Sequence, residues 1–301
     1  LLERLVDIAP ANLGQACLCN SGAESVEAAI KFARFTTGKT DFVCAMRGFH
    51  GRTFGAVSAT FKRDYRDAFE PLVPGFSFAP FNNFQKLKGM VTDRTAGILL
   101  EVVQGEGGVH IGHKDYFERV RTFCNERGIL LIFDEIQSGF CRTGKMFALE
   151  HVEIEPDMLL LAKAIAGGLP MGAVLCSDRL EAPVGKHGTT FGGNPLVCAA
   201  ARAAIDFMVA NRLDDRAEEM GRYFRERISR HELSRVREVR NLGLMIGIEL
   251  KEKAVPVILD LIERGVLVYP AGSTVVRVYP PLTIEREELD SVIDRLVEVL
   301  K

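Results

Sequence analysis

The stretch DMLLLAKAIAGGLPMGAVL, residues 157–175, sets one apolar run (157–162) against a second that continues as GAVLCS (172–177), with a Gly-Gly-Leu-Pro turn between them. Each run is nearly continuous in Leu, Ala and Val, the texture of a strand covered on both faces. Between Met158 and Leu175 the one charged side chain is Lys163. An ammonium among apolar residues loses its proton or finds an anion. A lysine in a dry pocket becomes a nucleophilic amine suited to imine formation, whereas one on a core edge packs its stem and sends its head to water. Taken alone, the residue reads as the second of these. A membrane span needs about 18 apolar residues, but Lys163, the Gly167-Gly168 pair and Pro170 argue against one, and no second span exists.

Working outward, DFVCAM (41–46), AGILLEVV (96–103) and GILLIFD (128–134) repeat the same apolar texture. Helical patterns lie between them at 23–35 and 116–126, the second with Phe117, Val120, Arg121 and Cys124 at helical spacing. Strand-helix alternation of this kind predicts an α/β fold built on a mainly parallel sheet. After Asn194-Pro195 the texture changes. Long helices through 195–232 are followed by REVRNLGLMIGIEL, a helix over 255–264, VLVYP, TVVRVYP and a last helix over 285–300. This predicts a large domain, 1–208, and a smaller C-terminal α+β domain, 209–301.

Composition narrows the function classes. The net charge of −2 lacks the basic excess of a nucleic-acid or membrane-surface protein. Seven cysteines are scattered through apolar runs with no paired CxxC, which fits reduced thiols in a cytoplasmic protein better than a disulfide or zinc scaffold. No signal peptide is visible. His110 and His113 are spaced like a metal pair, but no carboxylate or cysteine completes a set, and no metal site is expected.

The chemistry gathers at strand ends, where ligands bind in open α/β sheets. GILLIFD ends in Asp134-Glu135, followed by Ile136-Gln137; an isolated Asp there reads more readily as a helix cap or a turn residue. NSGAES (20–25) is a small polar turn leading into a helix, whose free N–H groups form an anion site. HGTTFGGN (187–194) is a second Gly- and Thr-rich loop with hydroxyls able to meet a phosphate. A phosphate cradle, an acid and a lysine on successive strand ends are together what pyridoxal phosphate requires. The lysine holds the aldehyde, the aspartate keeps the pyridine nitrogen protonated, and the helix start takes the phosphate.

These residues bring a family into view. NSGAES, GFHGRTFGA (48–56), EVVQGEGGV (101–109), FDEIQSGFCRTGK (133–145), PDMLLLAKAIAGGLPMGAV (156–174), HGTTFGGNP (187–195) and RVYPPL (277–282) stand in the order and spacing of the class III, or ω-amino, aminotransferases. The chain resembles that family, with the type I pyridoxal-phosphate transferase fold, over nearly its whole length, most closely the acetylornithine aminotransferase group. The resemblance implies Lys163 as the imine-forming lysine and base, and Asp134 as partner of the pyridine nitrogen. Glu135 and Ile136 lie in the same cofactor turn, and Gln137 approaches the phenolic oxygen. It further implies phosphate contacts from Gly22 and Ala23, stacking by Phe49, and Thr190 reaching the phosphate of a neighbouring subunit in a homodimer. Arg52 and Thr189 match positions that contact the acyl-amino acid, and Arg277 matches the arginine that takes the α-carboxylate of 2-oxoglutarate. Glu106 matches that arginine's movable partner, expected to cover it while the ω-amine donor is bound.

Within the family two readings compete: a plain acetylornithine (or other ω-amino acid) aminotransferase, and a relative acting on lysine or ornithine linked through its α-amine to the carrier protein LysW. The segment 248–285, with KEKAVP and PAGSTVVR, favours the carrier-linked or dual type. An acidic carrier would want a basic rim, for which Lys114, Lys186 and His187 are candidates. A same-fold aminomutase is the alternative from another class, though it would have little use for Arg277 and Glu106. Structural roles are expected for His50 and Arg142. Cys141 departs from the family's usual glycine. Since the chain starts without methionine, the family's further N-terminal residues are expected ahead of Leu1.

Overall fold

The computed structural model describes residues 1–181 and 184–301. The chain opens with helix α1 (Leu2–Ile8), strand β1 (Gln15–Cys19), α2 (Gly22–Thr37), β2 (Asp41–Ala45) and a short α3 (Phe54–Ala59). There follow β3 (Phe76–Ala79), α4 (Phe84–Met90), β4 (Thr95–Leu100), the small pair β5 (Val103–Gln104) and β6 (His110–Ile111), α5 (Lys114–Arg127), β7 (Leu130–Asp134), β8 (Met158–Leu161) and β9 (Gly172–Cys176). The C-terminal part holds α6 (Pro195–Ala210), α7 (Leu213–Ile228), β10 (Val236–Leu242), β11 (Met245–Leu250), α8 (Ala254–Glu263), β12 (Tyr269–Ala271), β13 (Val275–Val278) and α9 (Arg286–Leu300).

Among the described residues, seven strands form one sheet in the order β1-β9-β8-β7-β4-β2-β3. The neighbours from β8 to β3 pair in parallel, as the apolar runs predict. The run 172–177 departs from that pattern: β9 lies antiparallel to both β8 and β1. The link through 162–171 is too short for a parallel crossover, which takes a dozen residues or more, so the chain turns back on itself. β4, β7, β8 and β9 are buried along their whole length, whereas β1 and β3, the two edges of the sheet, are only partly covered.

Helix α2 shows how local sequence sets the frame. Ser21 caps its start, the hydroxyl accepting from the Glu24 amide at 3.2 Å, and Gly38 ends it in the left-handed conformation at φ 67°. Val26, Ala29, Ile30 and Ala33 line its buried face, and the Ser25 hydroxyl donates to the Leu161 carbonyl at 3.1 Å, tying the helix to the end of β8.

The second, four-stranded sheet runs β10-β11-β13-β12, antiparallel throughout. With α7, α8 and α9 it encloses a core of its own that includes Phe224, Ile248, Leu261 and Leu296. The division expected at 208/209 falls inside α6, which continues to Ala210; Leu213 still packs with the first core and Ala217 with the second. No helix among the described residues is long and apolar enough to cross a membrane.

Candidate active site

Four neighbouring parallel strands deliver side chains to one cavity of about 400 Å³ at their carboxyl ends. β2 leads to Phe49 and His50, Glu101 follows β4, β7 closes on Asp134, and Lys163 follows β8. The start of α2 supplies the remaining wall. Its first two amides, from Gly22 and Ala23, have no acceptor within the helix and border the cavity. A Cβ on Gly22 would stand 2.7 Å from the Ile136 side chain. Glycine there lets the backbone itself form the surface.

The buried charges are coupled. His50 Nδ1 and Asp134 Oδ2 lie 2.7 Å apart with both side chains almost wholly enclosed. Burial alone would lower the His50 pKa; the hydrogen bond and charge of Asp134, with Glu101 beyond, outweigh it and raise it. The second Asp134 oxygen accepts from the Ile136 amide at 3.0 Å, so the carboxylate is held from two sides. Glu101, which sequence reasoning passed over, accepts from the Phe49 amide at 3.1 Å. Burial pushes its carboxyl up to about 8, although His50 pulls the other way. The available signal was an acid closing an apolar strand, the same that marks Asp134.

Lys163 takes a left-handed backbone, φ 43°, and the surface it exposes is cavity wall. Burial of the amine lowers its pKa, opposed by Asp134, Glu101 and Glu106. A lysine so placed is closer to a free amine than a surface lysine is.

Arg277, on β13, reaches across to Glu106, with Nη1 2.6 Å from Oε1, while its Nε donates to the Pro270 carbonyl at 3.1 Å. The pair stands where the cavity opens into a wider groove. Gln137 lines the cavity, and the Tyr279 hydroxyl lies 3.4 Å from its Oε1. A side chain on Gly105 would collide with that same oxygen.

The remaining candidates disperse. Glu135 does not face the cavity: alternation along the strand turns it opposite to Asp134, and its carboxylate accepts from the Ala148 and Leu149 amides, both at 2.6 Å. Burial raises its carboxyl to about 8 despite those bonds. Its role in this chain is to hold the backbone at 148–149. Arg52 lies in the wider groove, its guanidinium over the Tyr65 ring at 4.9 Å. Thr189 accepts from the Asn20 amide group at 2.7 Å, and Thr190 is exposed; neither lines this chain's cavity. His50 holds Asp134 through its ring nitrogen. His110 accepts from Arg47 at 2.8 Å and His113 precedes α5; no cluster of three metal-donor residues occurs among the described residues. Arg142 donates to the Pro280 and Leu244 carbonyls, and Cys141 is buried at φ 68°, a conformation that favours glycine. The expected basic rim is not at the mouth: Lys114 pairs with Glu153, and His187 sits by Lys31 and Phe32. The cations bordering the groove are instead Arg47, Arg52, Lys62 and Arg63.

A lysine of lowered pKa after β8, an aspartate locked to histidine on the neighbouring β7 and a bare helix start bordering the same cavity make this a pyridoxal-phosphate-dependent transferase. More narrowly, the chain belongs to the class-III aminotransferases, whose family model matches residues 1–300. It is 44% identical to the acetylornithine aminotransferase of Methanocaldococcus jannaschii, over 99% of this chain and 77% of that one. It is 45% identical to the [LysW]-aminoadipate semialdehyde transaminase of Deinococcus radiodurans, over 99% and 71%. Among solved structures, the ornithine aminotransferase of Toxoplasma gondii superposes with a TM-score of 0.93 at 32% identity, covering 99% of this chain and 75% of that one.

Proposed function

We propose that the chain moves the ω-amino group of an Nα-blocked ornithine or lysine, N-acetylated or LysW-linked, to 2-oxoglutarate, giving a semialdehyde and glutamate in arginine or lysine biosynthesis. The observation that carries this reading is the Arg277–Glu106 pair at the cavity mouth. Closed, it presents no free guanidinium to a terminal amine; opened, it offers a fork to an α-carboxylate. Relatives at similar identity bear the acetylornithine and the LysW-linked names.

When bound, pyridoxal phosphate supplies an aldehyde that exchanges amines and a ring that stores the electron pair left by a departing proton. Lys163 holds the aldehyde and, once displaced, its Nζ is the base for the proton on the carbon bearing the donor's ω-amine. Asp134, anchored by His50, keeps a proton on the ring nitrogen. The Gly22 and Ala23 amides bind the phosphate, Gln137 meets the phenolic oxygen, and Phe49 and Ile136 border the ring. Arg52 and Thr189 serve the blocked end of the donor. Thr190 reaches the phosphate of a second copy, making the working unit a homodimer. Residues 1–208 act as the cofactor-holding body and 209–301 as the body that carries Arg277, in a cytoplasmic enzyme.

The test is a visible absorbance scan of protein with pyridoxal phosphate, before and after N-acetylornithine, then borohydride reduction and peptide mapping. A band that bleaches with the donor and a label on Lys163 are expected. A folded protein with no band, or a label elsewhere, would sink the reading.

A further inference from the structure

The amino-terminal end of the large sheet carries a second group of charges, which the transfer chemistry does not use. The turns leading into β2, β4 and β7, with the ends of α4 and α5, surround a small cavity of about 140 Å³. Ile129 stands in its wall, and Asp134 stands in the wall of the active-site cavity. Five steps of strand, at about 3.3 Å each, put roughly 16 Å between the two. The apolar part of the wall is fixed: Phe123 and Ile129 are buried, and Phe84 meets the Phe123 ring edge-on, centroids 5.8 Å apart.

Three cations converge there from three separate places in the chain. Lys39 comes from the turn between α2 and β2, Lys88 from the last turn of α4 and Arg127 from the last turn of α5. The Lys88 ammonium lies 5.6 Å from the Phe123 centroid and the Arg127 guanidinium 5.7 Å from the same point. Cation–π contact aligns the two charges while leaving their N–H donors unspent. Among the described residues none of the three side chains makes an ion pair or a hydrogen bond. Asp93 borders the cavity yet pairs with none of them, and the nearby Asp41 is taken by Arg94 at 2.9 Å. At the end of α5 the Cys124 carbonyl already accepts from the Gly128 and Ile129 amides. Three cations against one carboxylate leave a formal charge of +2 around the cavity.

We infer that this cavity is a binding site for a small dianionic oxyanion, hydrogen phosphate being the type, separate from the helix start that serves the cofactor. The volume lies below the roughly 300 Å³ at which pockets for drug-sized ligands begin, so it takes one small anion and not a nucleotide. A guanidinium fork with two ammonium groups suits a tetrahedral dianion better than a single carboxylate. Bound there, the anion relieves the repulsion among the three cations and ties α4, α5 and the α2–β2 turn together.

The test is calorimetric titration of inorganic phosphate into the enzyme already loaded with pyridoxal phosphate, which fills the helix start at α2, with ionic strength held constant by chloride. Saturable binding is expected, with a Tm that rises with phosphate concentration. Lys88→Gln/Arg127→Gln should weaken binding by about tenfold or more and remove the rise in Tm, while the cofactor's visible band stays that of the parent. Lys88→Arg/Arg127→Lys, which keeps both charges, should bind more tightly than the neutral pair. Acetate, with half the charge, should bind about tenfold more weakly than phosphate. Glycerol phosphate binding as well as phosphate assigns the site to a phosphoryl group whose ester stays outside; phosphate alone assigns it to the free ion. If the double variant fails to fold by circular dichroism, Lys39→Gln should give a smaller loss of the same sign. No saturable binding, an equal response to acetate, or unchanged phosphate binding by a folded double variant overturns the inference. A visible band that shifts as phosphate is added would place the ion at the cofactor and overturn it too.

Discussion

At the scale of single residues, the site is a set of groups held where each is least comfortable. Lys163 keeps a positive φ that side chains with a Cβ avoid, and its amine is pushed toward neutrality. Lys163→Ala should therefore lower turnover by about 10⁴-fold or more and abolish borohydride labelling at 163. Gly105→Ala should dislodge the Gln137 amide, changing the visible spectrum of the bound cofactor and lowering kcat, while the far-ultraviolet circular dichroism stays that of the parent. Two buried groups predict the pH response. His50 has a raised pKa in the fold, so its pairing with Asp134 stabilises fully below its ordinary value of 6.5 and is lost as pH climbs through the raised one. Glu101 is pushed up to about 8, so ionising it in place costs stability as pH rises from the ordinary carboxyl range toward that value. Both trends run the same way. Against His50→Gln, the wild type's Tm advantage should shrink as pH rises above about 6.5; against Glu101→Gln, the wild type should fall behind by pH 8. Flat differences across that range would refute the coupling. Strand ends and a helix start singled out Lys163, Asp134 and the turn at 20–25 only in combination, and Gly22 and Ala23 were named through the family resemblance. Glu101 carries the same mark as Asp134, an acid directly after an apolar strand. Glu135, next to Asp134 in sequence, faces away from the cavity because neighbouring residues on a strand point to opposite sides.

At the scale of elements, what was legible was what was buried. β4, β7, β8 and β9 read plainly because both faces are covered, leaving unbroken Leu, Ile and Val. QACLC and FSFA, the edge strands, are short and half-covered, so no pattern separated them from loop. The direction of β9 was likewise not encoded in its own residues; it follows from the length of the preceding link. Helix α2 announced itself through Ser21 and a helical apolar face, and its cap is a measurable contribution. Ser21→Ala should cost about 1 kcal/mol of stability by denaturant titration and weaken binding of inorganic phosphate or of the cofactor in the same variant. Gly172→Ala would drive a Cβ into the Ser21 carbonyl, where β9 passes beneath the same turn, and should lower both stability and cofactor affinity.

At the scale of the whole molecule, an ion pair is one of the contacts that join two cores. Glu106 belongs to the larger body and Arg277 to the sheet of the smaller, so the pair is at once a substrate filter and a tie between them. Glu106→Ala should raise kcat/KM for α-amino donors relative to the ω-amine donor; an unchanged donor ratio would count against a switch. The order of the strands has a different consequence, one of timing. β1 enters the large sheet only beside β9, so residues 15–19 have no pairing strand until residue 176 has been made. The phosphate cradle follows directly after β1, and Lys163 precedes β9. A ribosome-bound chain halted before β9 therefore carries both the cradle and the lysine without the strand that joins them, and competence to hold the cofactor should appear in one late step of synthesis.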